Sequence, residues 1–371
     1  MGWTRKFLYI TVGIWAPLLI VIVTLELVFG TWIRENDWDK TRYLNIIRDA
    51  RIEYDVSSIY GEALPSVTYT RDKYGLRGSC SNPKDIKILT VGGSTTDQRY
   101  IPDGKSYQDI LQFLLTKNTG RKICVANAGV DGHSTFGHLE SFRTWFPLIE
   151  GLRPDYILFY VGVNDASFRK GPNQGQDNDS LNLPTWRNTL RRHSVFYDGL
   201  RNLKAILVRG RAPAYAGRTG LLFKDDIYQA FDSSEGIDRL VMENTKNFEQ
   251  RFKKLITRTQ SYGAIPICVS QPHLMTKEIN GVKRGIEQAF EHEGQFFNGL
   301  DYDKSIRSIN TSMQKLCIEA DGFYIDAARK LFRQEDFYDV AHMRTTGAKQ
   351  LGEYLFQEFL SQEIAIPRAN K

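Results

Sequence analysis

Five short apolar runs alternate with amphipathic stretches along most of this chain, at 86–91, 122–126, 156–161, 264–269 and 322–325. The first four break into Gly, Asn or Ser. Runs of this length without polar alternation are strands buried on both faces, and helices between them are what would cover those faces. Helices are expected near 106–117, from 135 to about 146, near 237–260 and 303–319, and from about 345 to 361. The expected fold is therefore α/β with a parallel, doubly wound sheet. In such a sheet the polar groups that end the strands gather along one edge, where ligands bind.

The first run ends in Gly92-Gly93-Ser94-Thr95-Thr96. A tight turn there holds the Ser94 hydroxyl at the carboxyl edge. Serine is a weak nucleophile alone and needs a base, an orienting acid and oxyanion donors. The plainer reading of the same residues is a strand-to-helix turn with Ser94 as an N-cap. Asp339 and His342 stand three apart just before the last helix. A turn would put them on one side, with Asp339 accepting the Nδ1 proton and Nε2 facing a serine. Gly132 follows the second strand and Asn164 the third.

The order of these blocks resembles the SGNH (GDSL-type) serine hydrolase family: Gly92-Gly93-Ser94-Thr95, then Asn127 to Gly132, then Gly162-Val163-Asn164-Asp165, then Asp339-Val340-Ala341-His342. The resemblance spans about residues 85–360. It implies a flavodoxin-like three-layer α/β/α sandwich and a triad of Ser94, His342 and Asp339. It also implies an oxyanion hole from the Ser94 and Gly132 N–H groups and the Asn164 amide. It implies no cofactor. One position departs from the pattern, since Gly93 stands where the family name implies Asp. Gln271 and His273 end the fourth run on the same edge and are candidate substrate-binding residues, although a structural or exposed histidine is the plainer reading of His273. His133, beside Gly132, has the same two readings. No metal-ligand spacing occurs among the histidines, cysteines and carboxylates.

Residues 7–29 are apolar over about a membrane span, preceded by Arg5 and Lys6. This reads as an uncleaved anchor with the N-terminus cytoplasmic and the remainder periplasmic or extracellular, and a cleaved signal peptide is the competing reading. Glu26, near the outer end, would snorkel to water or meet a membrane partner. The expected organisation is an anchor at 1–30, a polar stalk at 31–84 and a hydrolase domain at 85–365, with an insertion at 166–236. From Arg187 to Lys224 the insertion holds nine basic residues and one acid, Asp198, which exceeds the net +6 of the 371-residue chain. Such a stretch suits a solvated cap, anionic headgroups or an anionic envelope polymer. Arg77, in the stalk, reads as a surface ion pair or a brace of the site. Nucleic acid is not an expected partner, because the overall basic excess is small and no recognition motif occurs.

The four cysteines form no C-x-x-C pair. Cys124 and Cys268 lie in apolar runs, as free core cysteines do. Cys80, in a polar loop, could pair with Cys124 or Cys317 in an oxidising compartment. The expected function is a membrane-anchored serine esterase or O-acyltransferase. Its substrate would be an acylated envelope carbohydrate or a small ester, and its topology would allow a membrane acyltransferase as partner. The alternative is a non-catalytic glycan-binding or assembly subunit that keeps the hydrolase scaffold.

Overall fold

The computed structural model describes residues 3–33, 36–167 and 225–366, with short pieces at 189–190, 193–197 and 199–200. Most of the expected insertion, 168–188 and 201–224, lies outside the described residues. The chain divides into two compact units. One holds residues up to Tyr43 with the described residues of 181–209, and the other holds 44–180 and 210–371.

The second unit is built on five parallel strands: β3 (Ile86–Gly92), β4 (Cys124–Asn127), β5 (Tyr156–Tyr160), β7 (Ile265–Val269) and β12 (Phe323–Ile325). Their order across the sheet is β4-β3-β5-β7-β12. Counting only these strands in chain order, that is 2-1-3-4-5, the doubly wound arrangement whose switch point lies between the first and third strands. β3 and β5 pair from Ile88 with Tyr156 to Gly92 with Tyr160, so both end at one level.

Helices cover both faces. Ile88, Leu158, Val269 and Ile325 pack toward Leu111 and Leu115 of α4 (Tyr107–Thr119) and Leu351 and Leu355 of α9 (Thr345–Ser361). On the other face, Phe159 meets Phe252 of α7 (Ile237–Ser261) edge to face, with ring centroids 5.4 Å apart. α8 (Gly299–Glu319) lies beside α7 and begins four residues earlier than its apolar pattern indicates. The cause is a capping box. Asn298 accepts the Leu300 and Asp301 N–H groups, and Asp301 accepts the Asn298 N–H. Between β7 and α8 the chain forms two antiparallel ribbons, with β8 (Thr276–Ile279) on β9 (Val282–Ile286) and β10 (Phe290–His292) on β11 (Gln295–Phe297). The two-residue strand β6 (Tyr228–Gln229) joins the first.

The expected stalk is largely part of this unit, which begins at Leu44. β1 (Ala50–Asp55) and β2 (Ser66–Arg71) form a hairpin in full register. Tyr54, Val56, Ile59, Val67 and Tyr69 bury a small core beside Tyr338. Along β2 the buried positions are Val67, Tyr69 and Arg71. The third is a cation on the inward face of an alternating strand.

Two disulfides tie the unit together. Cys80 bonds Cys124, one of the two pairings that the sequence left open. Cys268 of β7 bonds Cys317 of α8. The reading of Cys124 and Cys268 as free core thiols is thus corrected. Cys268 sits on the face that α8 covers, which brings the two sulfurs together across layers.

In the first unit, α1 runs Trp3–Phe29, and its side chains are described from residue 13 on. Ile14, Trp15, Leu19, Ile20, Val28 and Phe29 are exposed. Among the described residues no helix is long and apolar enough to cross a membrane. Glu26 has an intramolecular partner set. Its carboxylate accepts from Ser194 Oγ (2.5 Å), the Val195 and Phe196 N–H groups (3.1 and 3.2 Å) and Trp32 Nε1 (2.8 Å). It thereby caps the helical residues 195–197.

Candidate active site

Ser94, Gly132 and Asn164 stand just beyond the carboxyl ends of β3, β4 and β5, and the loop of Asp339 and His342 reaches Ser94. β3 breaks at Gly92, where an added Cβ would lie 2.5 Å from the Tyr160 carbonyl. α3 (Ser94–Asp97) follows immediately. Its N-cap is Gly93, which makes no side-chain cap bond. The Gly93 carbonyl accepts the Thr96 and Asp97 N–H groups at 3.1 and 2.9 Å. Ser94 is therefore the first helical residue and not the N-cap, which corrects the plainer reading of this turn. Its backbone N–H is one of those that a helix start leaves without an intrahelical acceptor. A single turn carries little macrodipole, so any anion held here depends on individual N–H groups.

The Ser94 hydroxyl lies 2.6 Å from His342 Nε2. His342 Nδ1 lies 2.7 and 2.9 Å from the two Asp339 oxygens. Asp339 and His342 sit in a tight loop before α9, closed by the Phe337–Met343 bridge and the bond from Tyr338 N–H to the His342 carbonyl. Asp339 Oδ1 also accepts the Ala341 and His342 N–H groups. Burial alone would raise the Asp339 carboxyl. The His342 ring and those two N–H donors outweigh it and hold the group below the usual range. The Tyr338 ring stacks on His342 at 11° between planes and 5.4 Å between centroids, fixing the imidazole from one face.

Asn164 lies on α6 (Val163–Ala166), directly after β5. Its Nδ2 donates to the His133 carbonyl at 2.8 Å, leaving its second N–H to point elsewhere. Gly132 has φ +77° and open space around the position of an added Cβ. An added Cβ on Gly93 would lie 2.6 Å from Asn164 Nδ2 and 2.9 Å from the His133 carbonyl. A side chain at 93 would therefore have to displace the Asn164 amide or the His133 carbonyl.

Gln271 and His273 have their polar groups engaged within the protein. Gln271 is buried, with Oε1 accepting the Val163 N–H and Nε2 donating to Thr95 Oγ1 and the Tyr160 carbonyl. His273 turns toward Asp303, 3.5 Å from its carboxylate, and its Nδ1 accepts the Met275 N–H. His133 is structural as well. Its Nε2 lies 2.9 Å from the Leu44 carbonyl, and burial pushes its ring down to about 4.

Four residues of this site were not assigned a role from the sequence. Arg71 reaches from β2 to Asp97 Oδ1 (2.5 Å) and to the Asn127 and Gly129 carbonyls (3.0 and 2.7 Å). It thereby joins the nucleophile turn to the loop that carries Gly132. Asn127 links the same two segments, donating to the Thr96 carbonyl and accepting the Gly129 N–H, both at 2.8 Å. Asp97 is buried, which alone would raise its carboxyl, but Arg71 and Arg99 hold it down at about 2. Asp165 accepts the Thr135 hydroxyl at 2.5 Å and pairs with Arg251 of α7 at 3.3 Å, so α6 is tied to the start of α5 (Thr135–Glu140). Arg77 does both things its sequence position suggests: it is buried and donates to the Asp97, Gln98 and Ile101 carbonyls, bracing the site, and it pairs with the exposed Asp103 at 3.1 Å. The inward position of Arg71 on an alternating strand was the available signal.

No protein-family model and no curated protein matches the chain. Among solved structures it is similar to LAE5, an α/β hydrolase enzyme from the metagenome of Lake Arreo, Spain, at 13% identity and a TM-score of 0.41, covering 76% of this chain and 97% of that one. It is also similar to the acetyl xylan esterase AlAXEase at 13% identity and a TM-score of 0.40, over 73% and 98% of the two chains. A mutant of Axe2, an acetylxylan esterase from Geobacillus stearothermophilus, matches at 13% and 0.40 over 77% and 97%. At these identities and scores the likeness assigns no activity to this chain. Among the described residues, no group of three or more His, Cys, Asp or Glu side chains could hold a metal ion.

Proposed function

We propose that this protein is a serine esterase or O-acyltransferase acting on ester-linked acyl groups, acetyl above all, of envelope glycans. The observation that carries the reading is the unbroken chain from Ser94 Oγ to His342 to Asp339, at 2.6 and 2.7 Å. In this reading Ser94 attacks the ester carbonyl while its proton passes to His342 Nε2. Asp339 stays ionised, keeps the ring in one tautomer and stabilises the imidazolium. The oxyanion is held by the Ser94 and Gly132 N–H groups and the second Asn164 N–H. Collapse of the tetrahedral species breaks the ester bond, and His342 returns the proton to the leaving alcohol. Water or a sugar hydroxyl then attacks the acyl-enzyme, with His342 as base and Ser94 as leaving group.

The same proposal places α1 in a membrane as an anchor, with Arg5 and Lys6 on the cytoplasmic side and the catalytic unit outside. The exposed apolar side chains of α1 support this, and two disulfides suit an oxidising compartment. The basic stretch from Arg187 to Lys224 would meet anionic headgroups or an anionic glycan near the surface. A fusion reporter at the C-terminus that works only in the cytoplasm would be silent under this topology, and its activity would reverse it.

Product analysis with an acetylated polysaccharide tests the reaction. Free acetate without an acceptor marks an esterase. Acetyl groups moved to an added acceptor glycan mark a transferase. Neither product from folded protein, across acetylated glycans and simple acetyl esters, favours the non-catalytic subunit.

A further inference from the structure

We infer that Gln271 is a positioning residue that sets the spacing between Ser94 and Asn164, an inference that rests on reading those two as nucleophile and oxyanion donor. Gln271 stands two residues beyond the end of β7 and is 2% exposed. Its Oε1 accepts the Val163 N–H at 2.7 Å. Its Nε2 donates to Thr95 Oγ1 at 2.6 Å and to the Tyr160 carbonyl at 3.2 Å. Thr95 is the neighbour of Ser94, and Val163 is the neighbour of Asn164. One amide thus spends both N–H donors and an acceptor lone pair on the segments that carry the two groups.

The need for such a brace follows from the topology. β3 and β5 are hydrogen-bonded only as far as Gly92 and Tyr160. Beyond that point the chains diverge into α3 and α6, and no ladder fixes their separation. The backbones approach closely here. An added Cβ on Gly92 would meet the Tyr160 carbonyl, and one on Gly162, at φ +126°, would lie 3.2 Å from Ile306 Cδ1 and 3.8 Å from Gln271 Oε1. The Tyr160 carbonyl also accepts Thr96 Oγ1 at 3.3 Å, so β5, α3 and Gln271 share one junction. Oxyanion donors act only when held within a few tenths of an ångström of their target. A buried planar amide whose donors are committed is suited to that task and is not free to bind substrate.

The test uses the full chain with Gln271→Met, which keeps the volume and removes the bonds. Thr95→Val, which removes only one partner, is a second and milder variant. Two readouts are taken. Amide hydrogen exchange is followed across 94–97 and 163–165, and fluorophosphonate labelling is followed together with kcat and KM on an acetyl ester of nitrophenol. Under the inference, Gln271→Met speeds exchange in both segments and slows labelling about 10–100-fold. The loss falls on kcat, with KM within about twofold of wild type. Thr95→Val gives a smaller loss in the same direction, and the double variant is no worse than Gln271→Met, since the bond that Thr95→Val removes is already absent in Gln271→Met. Faster exchange confined to Val163, or labelling equal to wild type, overturns the inference. A folded wild type that does not label at all removes the nucleophile reading instead, and the exchange pattern still decides whether Gln271 couples the two segments.

Discussion

His342 Nε2 lies 2.6 Å from Ser94 Oγ although 248 positions separate them in the chain. The doubly wound sheet closes that distance. Ser94 leaves the first sheet strand at the switch point, and the loop before α9 returns to the same edge. Asp339 then holds the ring from behind. Each contact in this chain is short, and each partner stands on a segment fixed by its own backbone bonds.

Gly93→Asp, which would restore the Gly-Asp-Ser pattern, is expected to lower activity. A side chain at 93 must displace the Asn164 amide or the His133 carbonyl, which an added Cβ would meet at 2.6 and 2.9 Å. Loss of one oxyanion donor costs about 10²–10³ in kcat, and ester hydrolysis with a thermal melt would separate this from unfolding. An unchanged or faster enzyme would mean that Asn164 is not held by this packing.

The site was legible where one short segment carries the signal. Ser94, Asn164 and the Asp339/His342 pair each stand directly after a buried strand or before a helix, and the strand order brings them to one edge. The supports were harder to read, because their partners are distant in the chain. Arg71 and Asp97 are 26 residues apart, and Gln271 lies 176 from Thr95. Polar composition made 31–84 read as a stalk, yet much of that polarity is buried wiring, in Tyr69, Arg71 and Arg77. The Cys268–Cys317 bond was missed because a cysteine in a strand gives no sign of which helix will cover it.

Arg71→Met is expected to destabilise the fold by at least about 1.5–3 kcal/mol, because it takes one of two cations from the buried Asp97 carboxylate and leaves Arg99 as its ion partner. The pair is almost wholly inaccessible, with side chains 3% and 2% exposed. Tyr69→Phe removes one hydrogen bond to the same carboxylate and should cost about 1 kcal/mol. Urea midpoints check both. Equal effects would mean that the ion pair adds little beyond its hydrogen bonds.

Stability should fall in mild acid. Burial pushes His133 down to about 4 and His138 well below its ordinary value. In the unfolded chain both bind protons near 6.5. Between those values the unfolded state holds more protons, so unfolding free energy drops as pH falls, by up to about 1.4 kcal/mol per unit for each histidine. The contribution is complete above 6.5 and is lost as pH falls toward the folded-state values. Denaturant melts from pH 7.5 to 4.5 would show this slope, and His138→Phe should reduce it. A flat profile would contradict neutral, buried rings.

Replacing Cys268 and Cys317 by alanine opens a loop of sequence separation 49. By the loop-closure relation this costs about 4 kcal/mol. The melt of the double variant should match that of wild type whose disulfides at this pair have been reduced. Unchanged stability would place the bond outside the folded core.

The most direct measurement is the intact mass of the full chain after exposure to a fluorophosphonate at neutral pH. One phosphonyl adduct is expected on wild type, mapped by peptide analysis to Ser94. Ser94→Ala should carry none, and His342→Ala should label at least about 10³-fold more slowly, since the serine then lacks its base. A folded wild type that takes no adduct, or an adduct that persists in Ser94→Ala, would contradict the account.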